Sequence, residues 1–291
     1  MNLPRFILSS LFALWLAGMA SLEISAQPRF PLPSPASTLK QVVGITDIEI
    51  EYARPGVKNR VIFGKHEPYG VVWRTGANAS TNISFSNDVR LGGHLVPAGK
   101  YALYTIPEKN DWTIIIYKNS ELWGAFSYDP KDDLVRFKAK TIKLDQLVET
   151  FTISIGDLRD ETANIYLDWE YTRVVIPLEV DTKSHVYSQL KTEMGKPESQ
   201  TVGTLNAAAV FYYENGHDLE VAHDWITKAN SLREKPAYWM YYTQAQIESE
   251  LGMINEGLSS AHRALILAKE ARHPVFIEKC RDLIEKLDSA K

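Results

Sequence analysis

Two hydrophobic periods divide this chain. Up to about residue 181, apolar side chains tend to alternate with polar ones, the period of a strand with one face buried. Beyond that point, small and apolar residues recur at helical spacing. Asp47-Ile48-Glu49-Ile50-Glu51-Tyr52 alternates strictly, which sets Ile48, Ile50 and Tyr52 on one face of a strand. The pattern predicts further strands at 81–86, 89–91, 99–107, 111–118, 134–141, 148–155, 163–170 and 172–180. Leu91-Gly92-Gly93-His94-Leu95 reads as a tight hairpin, because glycine accepts the positive φ angles of such a turn. Pro97-Ala98-Gly99-Lys100 and Pro107-Glu108-Lys109-Asn110-Asp111 carry turn residues. Short strands in such succession, with no long helix between them, predict an antiparallel β-sandwich over 38–181. The same pattern fits a closed barrel.

The helical part, 182–291, holds an internal echo. Gly216 and Gly252 are 36 residues apart, while Ala222 to Gly257 and Ala229 to Ala264 each span 35. Such a period, near 34, resembles a tetratricopeptide repeat, where small residues let two helices approach. Pro274 opens a last amphipathic segment, 274–288, suited to capping a short array. Arrays of this kind hold peptides or proteins on a concave face. Tyr212, Tyr213, Trp239, Tyr241 and Tyr242 offer aromatic surface for a partner, or packing between helices.

The first residues add a compartment. Arg5 precedes an apolar run from Phe6 to about Ala20, followed by Ser25 and Ala26. A charged start, a run too short to span a bilayer and a small-residue cleavage site make a secretory signal peptide, here 1–26. Cleavage after Ala26 or after Ala20 is consistent with it. Pro28, Pro31, Pro33 and Pro35 then mark 27–37 as an extended linker. The expected location is periplasmic or extracellular, with no membrane span once the signal is removed. A net charge of −4 supplies no electrostatic pull on nucleic acid. Cys280 is the single cysteine, so no internal disulfide can form, and its apolar helical setting suits a buried small hydrophobe.

Candidate chemistry concentrates in Tyr52-Ala-Arg-Pro-Gly-Val-Lys-Asn-Arg-Val-Ile-Phe-Gly64 and Val71-Val-Trp-Arg-Thr-Gly-Ala-Asn78. Arg54, Lys58, Arg60 and Arg74 bring cations together; Tyr52, Tyr69 and Trp73 add aromatic surface; Thr75 and Asn78 add hydrogen-bonding groups. Arginine, aromatic and amide groups commonly line pockets for small polar or anionic ligands. Tyr52, Arg54, Trp73, Arg74, Thr75 and Asn78, with Trp123, are therefore the ligand-site candidates. Equally, Trp73 can be core, Gly76 can serve only a turn, and Arg74 can clamp a loop through an acidic neighbour.

Trp73-Arg-Thr-Gly-Ala-Asn78 resembles the hallmark of a bacterial family known as domain of unknown function 2911. So do Tyr52-Ala-Arg-Pro55, Ile62-Phe-Gly64, Pro97-Ala-Gly-Lys-Tyr-Ala-Leu-Tyr-Thr-Ile-Pro107, Trp123-Gly-Ala-Phe126 and Val148-Glu-Thr-Phe-Thr-Ile153. The resemblance covers about 35–181. It implies an exported domain, often followed by helical repeats, and it carries over no activity, ligand or catalytic residue.

Other chemistry is faint. The seven histidines show no metal-binding spacing. His66-Glu67 reads as an exposed polar pair, and His217 and His223 as surface residues at a helix start. Asp129, Asp132 and Asp133 read as a solvated turn, and Asp168 and Glu170 as a polar outer strand face. No nucleophile elbow, phosphate loop or dinucleotide fingerprint appears, so no cofactor or metal is expected. The leading expectation is a non-catalytic binding or scaffolding protein. The alternative is a hydrolase acting on envelope glycan or ester substrates through the loop from Arg54 to Asn78. A perturbed carboxyl group in a pocket beside Trp73 would favour the enzyme.

Overall fold

The computed structural model describes residues 30–290, so the expected signal peptide lies outside the described residues. The chain forms two compact units, divided between Val180 and Asp181.

The first unit is a nine-stranded sheet in which every pairing is antiparallel. In chain order the strands are β1 (Ala36–Val43), β2 (Thr46–Ala53), β3 (Thr81–Phe85), β4 (Val89–Leu91), β5 (His94–Val96), β6 (Gly99–Ile106), β7 (Asp111–Tyr117), β8 (Asp133–Gly156) and β9 (Thr162–Val180). Their spatial order is β1-β2-β3-β6-β7-β8-β9-β4-β5. Strand β8 turns the sheet over on itself. Its residues up to Lys140 pair with β7, and those from Thr141 pair with β9. Ile48, Ile50 and Ile83 from one half and Ile165, Leu167 and Ile176 from the other then share one core. The sheet folds into a sandwich and does not close, which removes the barrel alternative.

Two features depart from the sequence expectation. Strand β1 begins at Ala36, inside the expected linker. It is an edge strand with mostly half-buried and exposed positions, so its alternation is muted. The four segments expected between 134 and 180 are two long strands. Register shifts between Lys143 and Thr152, and a positive φ of 55° at Glu170, bend these strands, and polar residues at the bends interrupt the apolar pattern. The hairpin at Gly92 and Gly93 forms as expected, with Leu91 opposite His94.

The second unit contains α1 (Thr182–Glu193), α2 (Val202–Glu214), α3 (Leu219–Leu232), α4 (Tyr238–Glu250), α5 (Ile254–Glu270) and α6 (Pro274–Asp288). Gly216 and Gly252 end α2 and α4 identically. Each has a positive φ, 62° and 73°, and each following amide returns to the carbonyl five residues back. Ala222, Ala229 and Ala264 are fully buried, and Gly257 packs against the Ala245 carbonyl of α4. Cys280 is buried in apolar surroundings, which push its thiol up to about 11. No helix among the described residues is long and apolar enough to cross a membrane.

Candidate functional site

The long connection from β2 to β3, residues 54–80, is stitched to both halves of the sandwich. At its start, Val57 N–H donates to the Glu149 carbonyl and Phe151 N–H to the Pro55 carbonyl, on β8. Near its end, Trp73 and Thr105 of β6 exchange backbone hydrogen bonds of 2.7 and 2.9 Å. Ile62 and Phe63 anchor the middle in the core. The return to β3 needs unusual backbone: Thr75 and Asn78 have φ of 55° and 62°, and Gly76 lies at 155°. A Cβ on Gly76 would sit 3.0 Å from the Ala53 carbonyl oxygen, so only glycine fits that turn closely.

This path encloses a cleft of about 250 Å³, lined by Lys58, Arg60, His66, Glu67, Arg74 and Asn78, with Pro33 and Ser34 at one wall. The Arg74 guanidinium donates to the Asn78 carbonyl at 2.7 Å. Arg60 donates to the carbonyls of Val57 (3.0 Å) and Gly56 (2.6 Å) and to a ring nitrogen of His66 (2.9 Å). Lys58 Nζ reaches the Pro33 carbonyl at 3.4 Å. Among the described residues, no carboxylate forms an ion pair with any of these three cations within 4.0 Å. Backbone carbonyls and His66 hold them in place, and the Glu149 carboxylate, which accepts from the Lys58 amide at 2.9 Å, lies beside Lys58.

Glu67 is the acidic group of the cleft, with 21% of its side chain exposed. Burial pushes its carboxyl up to about 7, against the opposing pull of Arg74 and Arg60. The Nε2 of His66 lies 3.9 Å from the Glu67 carboxyl. Burial, and then the positive Arg60, lower the pKa of His66. The cleft therefore sets three cationic side chains beside a histidine pushed toward its neutral form and a carboxyl pushed toward its protonated form.

The sequence candidates divide. Arg74 and Asn78 line the cleft. Tyr52, Trp73 and Thr75 are buried behind it. Tyr52 exchanges hydrogen bonds with the backbone of Ile153, and Thr75 donates to Thr105 Oγ1 at 3.1 Å. Trp73 stacks on Trp169 at 5.7 Å and meets Phe151, Phe63 and Trp112 edge to face. Arg54 lies beside the cleft and clamps β8, donating to the Phe151 carbonyl and to Thr152 Oγ1. Trp123 stands on the surface, 67% exposed, with its backbone bridged to Ala79. His66 is exposed as expected, while Glu67 is half-buried, because the fold draws it into the cleft. The sequence signal available was the Arg60, His66, Glu67 and Arg74 grouping within one loop.

Asp168 and Glu170 also differ from a plain polar face. Asp168 is buried under a bidentate Arg173, with bonds of 2.8 and 2.6 Å, and Glu170 caps the Ile62 amide. His223 lies 3.2 Å from the buried carboxyl of Glu248 rather than free on the surface. In the helical unit, Tyr212 is buried among Tyr187, His217 and Trp225, and Tyr242 packs on Phe276. Tyr213 is half-buried, while Trp239 is exposed beneath Arg233.

Neither the curated proteins nor the solved structures include a match to this chain. Residues 34–178 match the model of a family described as protein of unknown function (DUF2911).

Proposed function

We propose that the β unit is a binding domain for a small anionic ligand, held in the cleft between Lys58, Arg60 and Arg74. The observation that carries this reading is the excess of cations over carboxyls among the residues that line the cleft. Three cations converge, backbone carbonyls orient them, and the one carboxyl among the lining residues, Glu67, is pushed toward its protonated form by burial. An entering anion meets donors whose positions the backbone already fixes. Planar guanidinium groups suit a carboxylate or a phosphate. The protein is exported, on the strength of its signal-like start, and its helices form a tetratricopeptide-like array. The matched ends of α2 and α4 support that repeat. Trp239, exposed, and Tyr213, half-buried, are the residues best placed for a protein partner.

Titration of the full chain with galacturonate and with inorganic phosphate at low ionic strength tests the binding role. Binding should weaken steeply with added salt and vanish when Arg60 and Arg74 are both replaced by alanine. Unchanged binding in that double variant would remove the cleft from consideration.

One observation favours a catalytic reading. A carboxyl titrating near 7 is suited to moving protons at physiological pH. Hydrolysis of a glycan or ester that disappears in Glu67→Gln, with binding retained, would establish it.

A further inference from the structure

We infer that the ligand of the cleft is an acidic saccharide. Its carboxylate enters among the cations, and a neighbouring sugar ring lies on Trp123 and Phe126. This rests on the anion-binding reading above and names the ligand class.

Trp123 and Phe126 are 67% and 85% exposed, although they sit on a firmly held loop. Tyr104 donates to the Gly124 carbonyl at 2.8 Å, Ser80 N–H donates to the Leu122 carbonyl, and Trp123 bridges Ala79. Water-exposed aromatic rings on a rigid backbone are costly to solvate and lose little entropy when covered. Arg74 joins this rim to the cleft. Its guanidinium carbon lies 6.0 Å from the Phe126 ring, while its Nη1 binds the Asn78 carbonyl inside. Gly124 makes the approach possible: a Cβ there would lie 3.1 Å from Phe126 and 3.2 Å from Arg74 Nη1.

Size selects the kind of ligand. A cleft of about 250 Å³ lies below the usual range for enclosing a whole drug-sized molecule. One charged group fits inside, and the rest of the ligand must extend over the rim. The C–H face of a pyranose ring covers an aromatic ring and keeps its hydroxyl groups in water. A peptide is the poorer fit. Extended peptides dock by adding to a strand edge, and the amide and carbonyl groups joining 79–80 to 122–123 are already paired internally.

The test uses the full chain, with tetragalacturonate, maltotetraose, inorganic phosphate and uridine monophosphate as probes. Tetragalacturonate should bind at least tenfold more tightly than phosphate or maltotetraose. Trp123→Ala and Phe126→Ala should each weaken tetragalacturonate by roughly three- to tenfold, the usual size of one aromatic stacking contact, and leave phosphate unaffected. Both side chains are exposed, so both variants should melt with the wild type. If phosphate binds but the aromatic variants hold tetragalacturonate as wild type does, the saccharide inference falls and the anion reading stands. The saccharide inference falls in the same way if maltotetraose or uridine monophosphate binds as tightly as tetragalacturonate. If no anion binds at all, both fall.

Discussion

Replacing Glu67 with glutamine should make the protein more stable at alkaline pH and change it little in acid. A carboxyl moved from the ordinary 4.5 to about 7 by burial carries an energetic penalty in its ionised form. At about 1.4 kcal/mol per pH unit, that penalty is roughly 3 kcal/mol. The sign follows from which form the fold tolerates. Protonated Glu67 is neutral and accepts burial, so its full contribution is present below pH 4.5. The contribution is lost as pH rises through about 7, where the folded protein must ionise a group that the unfolded chain ionises freely. Glutamine has the same shape and never ionises. With 21% of the side chain still open to water, 3 kcal/mol is a ceiling. For a chain of this size, 1 kcal/mol moves the melting temperature by about 2–4 °C. The melting temperature of Glu67→Gln minus that of wild type should therefore rise by roughly 5 °C or more between pH 4.5 and pH 8.5. Calorimetry at both pH values measures it. An equal difference at the two values, or a fall, would refute the electrostatic picture of the cleft.

Other expected outcomes are simpler. Arg74→Ala leaves no carboxylate partner behind, only the Asn78 carbonyl, so a thermal melt should show a loss of about 1 kcal/mol or less. A loss several times larger would make Arg74 a structural clamp. Arg173→Ala leaves the buried Asp168 carboxylate without its bidentate partner and should cost roughly 2–3 kcal/mol in urea unfolding, restored in part by also changing Asp168 to asparagine. Arg272 ends α5 at a φ of 52°, where α2 and α4 use glycine. Arg272→Gly should raise the melting temperature of the helical transition, with a gain of up to about 1 kcal/mol.

The sequence revealed periods better than paths. Strand β2 stood out because its partners bury every second residue, and β7 because an apolar run is buried on both of its faces. Strand β1 did not, because an edge strand leaves polar positions on both faces. The bends in β8 and β9 hid their continuity, since a bulge breaks alternation without ending the strand. Residue type located the candidate loop but not the direction of each side chain. Trp73 and Arg74 are adjacent, yet one enters the aromatic core and the other lines the cleft. Glu67 looked like an ordinary surface acid. The packing of 54–80 against β6 and β8, far along the chain, leaves it half-buried. In the helices, the two glycines were legible because a left-handed cap favours glycine.

The most direct measurement is a salt-dependent titration of galacturonate into the full chain, run beside the Arg60→Ala/Arg74→Ala double variant. Galacturonate keeps a single negative charge from pH 5.5 to 8.5, so any pH dependence belongs to the protein. Binding to the wild type should be saturable, stronger at pH 5.5 than at 8.5, reduced by salt through screening, and absent from the double variant. Equal binding by the two proteins, or none by either, would contradict the assignment of the cleft as an anion site.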